Sequence, residues 1–304
     1  MAKIYVLYNP KSGNGRGTAN AQRLNNIYPE NDLVYCDITE IGDVLRFIVG
    51  LASDDKIIIA GGDGTLNRFV NDIGDLKIEN EVYFFGCGTG NDFLHDIGAD
   101  KEKPVLVNRY IENLPVAEVN GKKYKFINGV GFGIDGYCCE EGDKIREKGK
   151  KKINYTAIAV RGLAYDYKRT NATVTVDGKT KKYKKVWLVP TMNGRYYGGG
   201  MMASPTQDRL DPEHKVTVSA MHGGTKLKTL LVFPGIFQGK HIEHDEMVDI
   251  IPGHEVEVEF DRPTALQIDG ETVVGVKKYK VTSAGAGVNH SSEAANEAVG
   301  AESK

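Results

Sequence analysis

The sequence predicts two joined architectures, a parallel α/β domain over residues 1–112 and an antiparallel β-rich domain, a sandwich or barrel, over residues 113–285. Three observations carry this reading. Strand-like and helix-like stretches alternate through the first hundred residues, the rhythm of a parallel sheet covered on both faces. Past residue 112 the pattern changes to strand pairs joined by Asn-Gly or Asp-Gly, the strongest short-range hairpin signal. The 304 residues also exceed what a single core usually fills.

In order, "KIYVLYN" reads as a strand and runs into the glycine-rich "PKSGNGRG". "TANAQRLNNIY" then reads as a helix with Leu24, Ile27 and Tyr28 on one face. "DLVYCDI" is a second strand. Val44, Phe47, Ile48 and Leu51 make a helical stripe before the third strand, "KIIIA", and Leu66, Phe69, Val70 and Ile73 repeat that spacing behind it. "EVYFFGC" is a fourth strand that again runs into glycines. In the second half "VAEVNGKKYKF", "TVTVDGKTKKY" and "ALQIDGETVV" are hairpins, and "KVWLVPT", "KVTVSAM", "MVDIIP" and "EVEVEF" are further strands. Two helices interrupt them: "INYTAIAVRGLAYDY", with Ile153, Ala157, Val160, Ala164 and Tyr167 on one face, and "TKLKTLLVF". The small, polar segment 286–304 reads as a flexible tail.

Composition narrows the class. With 40% hydrophobic residues, 26% charged and a formal net charge of −2, no general nucleic-acid binder is indicated. The four cysteines show no C-x-x-C spacing and no cationic leader opens the chain, so a reduced, cytoplasmic protein is expected. No apolar run nears the roughly 18 residues of a membrane span, which leaves lipid contact to the surface. Two basic runs could supply it, Lys144 to Lys152 and Lys179 to Lys185; a solubilising charged face is the equal alternative. Oligomeric state is left open, a homodimer included.

Several motif matches fail on context. "GFGIDG" (Gly131 to Gly136) spells G-x-G-x-x-G, but it lies in the β-rich half, is read as opening no helix, and has no acid about twenty residues on. "DGKTK" ends like a phosphate loop yet lacks its first glycine and reads as a hairpin turn, and "HIEHDE" lacks a metal-site framework. No G-x-S-x-G elbow is present.

Three glycine turns survive: "NPKSGNGRG", "GGDGTLN" and "GTGNDF". Each follows a strand of the first half, so in a parallel sheet all three converge on one edge, where backbone N–H groups and helix starts bind phosphate. Lys11 and Arg16 add cations; Asp63 and Asp92 add a carboxylate pair. A carboxylate in a phosphate turn is a conflict. Either a divalent cation stands between the two, or Asp63, Asn91 and Asp92 only cap helices.

In this order and spacing the three turns resemble the catalytic domain of the diacylglycerol kinase and sphingosine kinase superfamily, particularly the small bacterial lipid kinases. "GVGFGIDGY", "MNGRYYGGGM", "SPTQDRLDP", "GKHIEHDEM" and "QIDGE" look like that family's later blocks. The resemblance implies a Rossmann-like sheet of the phosphofructokinase and NAD-kinase kind beside an antiparallel β-sandwich. It also implies transfer of a phosphoryl group from ATP, with Mg2+, to a lipid hydroxyl at an anionic membrane surface, most simply diacylglycerol. On this chain it places nucleotide binding at Asn9, Lys11, Ser12, Gly13 and Arg16, at Gly61, Gly62, Asp63, Gly64 and Thr65, and at Gly88, Thr89, Asn91 and Asp92. It makes Glu271 the general base beside Asp269, with Asp269 and Asp63 also catalytic, Asp135 a residue that binds and orients the acceptor or joins the cation network, and Asp63 and Asp92 the catalytic magnesium ligands. From spacing alone, Asp269-Gly270-Glu271 reads first as a hairpin tip, and only the resemblance reverses that. The resemblance further implies a structural cation at Asp208, the Leu210 carbonyl and Asp211, although this chain has Pro212 where the bacterial pattern carries an Asp-Gly pair. The rivals are a kinase of a soluble acceptor in the manner of NAD kinase, and a nucleotide-binding module without turnover.

Overall fold

The apolar runs of the first hundred residues form a five-stranded sheet in the computed structural model, which describes residues 2–29, 32–88, 90–149 and 153–286. β1 (Ile4–Tyr8), β2 (Leu33–Asp37), β3 (Lys56–Gly61) and β4 (Val82–Gly86) run parallel in the order β2-β1-β3-β4, and β5 (Val105–Leu106) closes the edge antiparallel to β4. Side chains alternate between faces, so Val6, Ile58 and Phe85 enter one core while Leu7, Ile57, Ile59 and Phe84 enter another. The second core takes the predicted stripes of α1 (Val44–Val49) and α2 (Asp63–Asp72), together with Phe93 and Leu94 of α3 (Asp92–Asp96).

The first glycine turn itself winds into a short helix, Ser12–Gly15, and the single helix predicted after it is instead two short pieces, Gly17–Ala21 and a 3-10 turn over Gln22–Asn26. Leu24 is buried, but its carbonyl takes the N–H of both Ile27 and Tyr28, so the winding stops there and Ile27 turns to solvent.

The second half begins with β6 (Val116–Val119), β7 (Lys122–Lys125) and β8 (Gly129–Gly133) and continues with β9 (Thr170–Val176), β10 (Lys179–Val186) and β11 (Leu188–Met192). The short pair β12 (Tyr196–Tyr197) and β13 (Met201–Met202) precedes β14 (Val216–Met221), β15 (Val248–Gly253), β16 (Glu255–Ile268) and β17 (Glu271–Thr282). Ten of these form one antiparallel sheet in the order β15-β14-β11-β8-β16-β17-β6-β7, with β9 also on β16 and β10 outside β9. The three predicted turns join β6 to β7, β9 to β10 and β16 to β17, and their first central residues, Asn120, Asp177 and Asp269, hold positive φ of 50°, 48° and 45°. β16 serves two layers: Val256 to Phe260 pair with β9, Leu266 to Ile268 pair with β8, and irregular register between them bends the strand. The sheet thereby folds over a core that includes Phe132, Val174, Val218, Phe260 and Tyr279. β10 is an edge strand whose five lysines are exposed around buried Tyr183, the arrangement that blunts edge-to-edge pairing.

Two helix readings are corrected. The glycine-rich "GFGIDG" does open a helix, α4 (Ile134–Glu147), directly from β8. Few apolar residues and the internal Gly136 and Gly142 leave its stripe faint, which is why periodicity misses it. The strand before it pairs antiparallel, so it remains no dinucleotide turn. In α5 (Tyr155–Arg161), which runs on as a π turn over Gly162–Asp166, Ala159, Leu163 and Tyr167 are buried, whereas Ala157 and Val160 of the predicted core face are exposed. α6 (Lys226–Val232) and a 3-10 turn over Phe233–Gln238 pack beside it, around Ile134, Trp187, Phe233 and Ile236. The predicted tail from residue 287 on, Lys150 to Lys152 of the first basic run, and Thr89 lie outside the described residues. No helix among the described residues is long and apolar enough to cross a membrane.

Candidate active site

The C-terminal ends of β1, β3 and β4 sit side by side, so their three glycine turns meet at the wall of a cavity of about 1080 Å³. Asn9, Lys11, Ser12 and Gly13 come from the first turn, Gly62, Asp63, Gly64 and Thr65 from the second, and Gly88, Asn91 and Asp92 from the third. Asn9 shapes the first turn by accepting the Lys11 N–H at 2.9 Å on its side chain and the Ser12 hydroxyl at 2.8 Å on its carbonyl. The second and third turns touch through backbone: a Cβ on Gly88 would stand 2.6 Å from the Gly62 Cα, so only glycine fits.

Asp63 takes a course between the two sequence alternatives. It opens α2, yet its carboxylate crosses to the next turn and accepts the N–H of Asp92 at 2.7 Å and of Phe93 at 3.4 Å, capping α3 from another element. Asn91, the residue in capping position, makes no side-chain cap; its amide donates to the Gly88 carbonyl instead. Burial, reinforced by the charges of Asp92 and Asp269, pushes the Asp63 carboxyl up to about 7. Burial also raises Asp92, whose two oxygens accept the N–H groups of Gly199 (2.8 Å) and Gly200 (2.6 Å) from the other half of the chain.

The opposite wall comes from the β-rich half. Asp269, Gly270 and Glu271 form the tip between β16 and β17. Asp269 is fully engaged: Oδ1 accepts the N–H of Asn128 (2.8 Å) and Gly129 (2.9 Å), and Oδ2 accepts the Asn67 amide (2.6 Å) and the Ile127 N–H (2.5 Å). Glu271 is exposed to the cavity. Asp135, in the first turn of α4, is buried; it accepts the Gly136 N–H and the Tyr197 hydroxyl (3.2 Å), and burial pushes it up to about 6. Beyond it the cavity continues into an apolar arm lined by Ile134, Ala159, Met201, Phe233 and Phe237.

The remaining predicted residues lie elsewhere. Arg16 is exposed and does not line the cavity, and Gly61 is buried in the end of β3. Asp208 and Leu210 line a separate cavity of about 370 Å³. The acids of that loop are engaged by the loop's own backbone. Asp208 accepts the Leu210 N–H, Asp211 accepts those of Glu213 and Lys215, and Arg209 between them sends its guanidinium inward to Asp96 of α3, the Ile127 carbonyl and the Asn128 side chain. Asp63 does fit magnesium, which is ordinarily held by one or two carboxylates together with phosphate oxygens and water. Burial is the main cause of its raised pKa, and the neighbouring carboxylates of Asp92 and Asp269 add negative charge that a cation would relieve.

Two sequence families divide the chain as the two sheets do. Residues 3–117 match the diacylglycerol kinase catalytic domain, and residues 128–283 match the YegS C-terminal NAD kinase beta sandwich-like domain. The chain belongs to the diacylglycerol kinase and YegS-type lipid kinase superfamily. It is therefore a kinase, and membership implies ATP as the phosphate donor. It is 25% identical over 265 residues to a diacylglycerol kinase of Mycobacterium tuberculosis, covering 81% of this chain and 82% of the relative. Over 224 residues it is 24% identical to a diacylglycerol kinase of Bacillus subtilis, with 71% of each chain covered. A solved structure of a diacylglycerol kinase from Bacillus anthracis str. Sterne superposes with a TM-score of 0.62 at 22% identity, over 93% of this chain and 95% of that one, which shows the shared fold.

The cavity also draws on residues to which the sequence reading gave no place in a site. Arg68 and Arg146 add cations to its rim, and Tyr197 and the Gly198 to Gly200 loop add the contacts to Asp135 and Asp92. The run "YYGGGM" is the available signal for the last two, because three successive glycines, here at φ 63°, 82° and 103°, mark backbone presented to a partner.

Proposed function

We propose that the protein transfers the γ-phosphoryl group of ATP to a lipid hydroxyl, with diacylglycerol as acceptor and phosphatidic acid as product. The observation that carries this is the cavity itself, which sets three phosphate turns of one half against a carboxylate tip and an apolar arm of the other. The turns at Asn9 to Gly13, Gly62 to Thr65 and Gly88 to Asp92 bind the triphosphate through backbone N–H groups and Lys11. Asp63, and Asp92 through its remaining lone pairs, would hold magnesium, which when bound neutralises phosphate charge. The acyl chains occupy the arm lined by Ile134, Ala159, Met201, Phe233 and Phe237, and Asp135 with Tyr197 orients the hydroxyl. Glu271 takes the hydroxyl proton as the acceptor oxygen forms its bond to the γ-phosphorus and the bond from that phosphorus to the bridging oxygen breaks, releasing ADP. Asp269, with every oxygen engaged, acts as a positioning residue that fixes the tip bearing Glu271. Alignment and charge stabilisation supply most of the acceleration in such a transfer.

The test is incubation with labelled ATP, magnesium and an extracted lipid mixture containing diacylglycerol. Label should appear in phosphatidic acid with the wild type and be lost with Glu271→Gln, which still binds ATP. Label in a water-soluble product would favour a soluble acceptor, and nucleotide binding with no transfer under varied detergents would favour a binding module.

A further inference from the structure

Part of the α5 face that periodicity assigns to the core looks outward: Tyr167 is buried, but Ala157 and Val160 are exposed, and beside them Tyr165 of the π turn is 80% exposed. α6, packed against that turn, does the same: Leu227 and Leu231, one helical turn apart, are 68% and 73% exposed while Thr229 and Val232 of the same helix are buried. Phe237, partly exposed in the 3-10 turn that follows α6, also lines the apolar arm of the cavity, as Ala159 of α5 does. Single exposed leucines are ordinary on a surface, whereas a row that runs into the mouth of a ligand cavity marks an interaction site.

Cations border the row. Lys226 stitches α6 to the π turn by donating to the carbonyls of Ala164 and Tyr165 and has no ion pair among the described residues; Arg161 and Lys228 flank it in exposed ion pairs with Asp166 and Glu246. Exposed apolar side chains with an uncancelled lysine among them, at the mouth of a cavity with an apolar arm, are the chemistry of a surface that settles on anionic lipid. We propose that this row on α5 and α6 is where the protein docks on an anionic phospholipid bilayer, with Leu227, Leu231, Tyr165 and Phe237 dipping into the interface beside the cavity mouth; this rests on reading the cavity as a lipid kinase site. A second copy of the chain is a poorer occupant, because stable interfaces use roughly 20–30 residues a side. The lysines of β10 supply no residue to the cavity and guard a sheet edge instead.

The experiment is co-sedimentation of the full chain with phosphatidylglycerol vesicles, without nucleotide, for the wild type, Leu227→Gln/Leu231→Gln and Lys179→Gln/Lys182→Gln. The leucine pair should bind vesicles roughly tenfold or more weakly, with unchanged unfolding midpoint and ATP binding, and the lysine pair should bind as wild type does. Equal vesicle binding by the leucine variant overturns the proposal. So does gel filtration showing a dimer that the leucine variant splits, which would assign the row to self-association. Leucine-dependent vesicle binding by a protein that labels no lipid would uphold the docking surface and remove the kinase reading.

Discussion

Replacing Arg209 by alanine removes an internal cation that ties the two halves of the chain together. Arg209 and its partner Asp96 are 5% and 3% exposed, and the guanidinium also lies over the Phe93 ring at 5.0 Å. Deleting one member of a buried pair costs about 3–5 kcal/mol when the other charge is stranded. Here Arg195 still reaches Asp96 at 2.7 Å and keeps it paired, which lowers that contribution to about 2 kcal/mol. Losing the bonds to the Ile127 carbonyl and the Asn128 side chain adds about 1–2 kcal/mol, and losing the ring contact about 0.5 kcal/mol. A total near 4 kcal/mol is a large share of the roughly 5–15 kcal/mol that holds a native protein. Trp187 is the single tryptophan and is buried, so urea unfolding followed by its fluorescence should show the midpoint fall with little change in slope. Arg209→Lys keeps the charge without the planar fork and should recover about half of the loss. A loss below about 1 kcal/mol refutes the reasoning. A wild-type midpoint that drops on adding EDTA also refutes it, since a metal and not the guanidinium would then be holding the loop.

Glu271→Gln should lower the transfer rate by about 10²- to 10⁴-fold while the ATP dissociation constant stays within about twofold; a rate near wild type would move the proton acceptor elsewhere. Asp135 has a folded pKa raised from 3.8 to about 6, so its stabilising contribution is complete below about pH 4 and is lost as pH rises through 6. Asp135→Asn should flatten that decline and exceed the wild type by about 2 kcal/mol at pH 8; urea midpoints that run parallel from pH 4.5 to 8 would contradict the assignment. Asp269→Asn keeps one acceptor oxygen but turns an amide donor toward backbone N–H groups, a clash expected to cost about 2–4 kcal/mol. A shift under about 1 kcal/mol in thermal or urea unfolding would mean that the tip holds without it.

The parts of this molecule that show in the sequence are those with a local signature. Alternating β-branched runs, Asx-Gly turns and glycine turns after strands each follow from backbone sterics over a few residues, so both sheets and the meeting of the three turns can be anticipated. What escapes is decided by partners far along the chain. The acids of "SPTQDRLDP" suggest cation ligands, and nothing local shows that they bond their own loop while Arg209 turns inward to Asp96, 113 residues away. Asp63 is the same case: capping and cation binding are weighed for its own helix, whereas it caps one that starts 29 residues later. The α5 stripe holds at Tyr167 but not at Ala157 and Val160, for another reason. Periodicity finds an apolar face without saying whether protein or something else covers it.

The seam between the halves is made of short, directional bonds: Asp92 to Gly199 and Gly200, Asn67 to Asp269, Asn71 to Lys125, and Asp96 to Arg195 and Arg209. In each of them donor and acceptor come from opposite sides of the stretch between Glu112 and Val116. A chimera that swaps one side at that stretch for a relative's would inherit half of every bond, so recombination inside this superfamily has to carry the glycine loop, the hairpin tip and the arginine loop together with the turns they face.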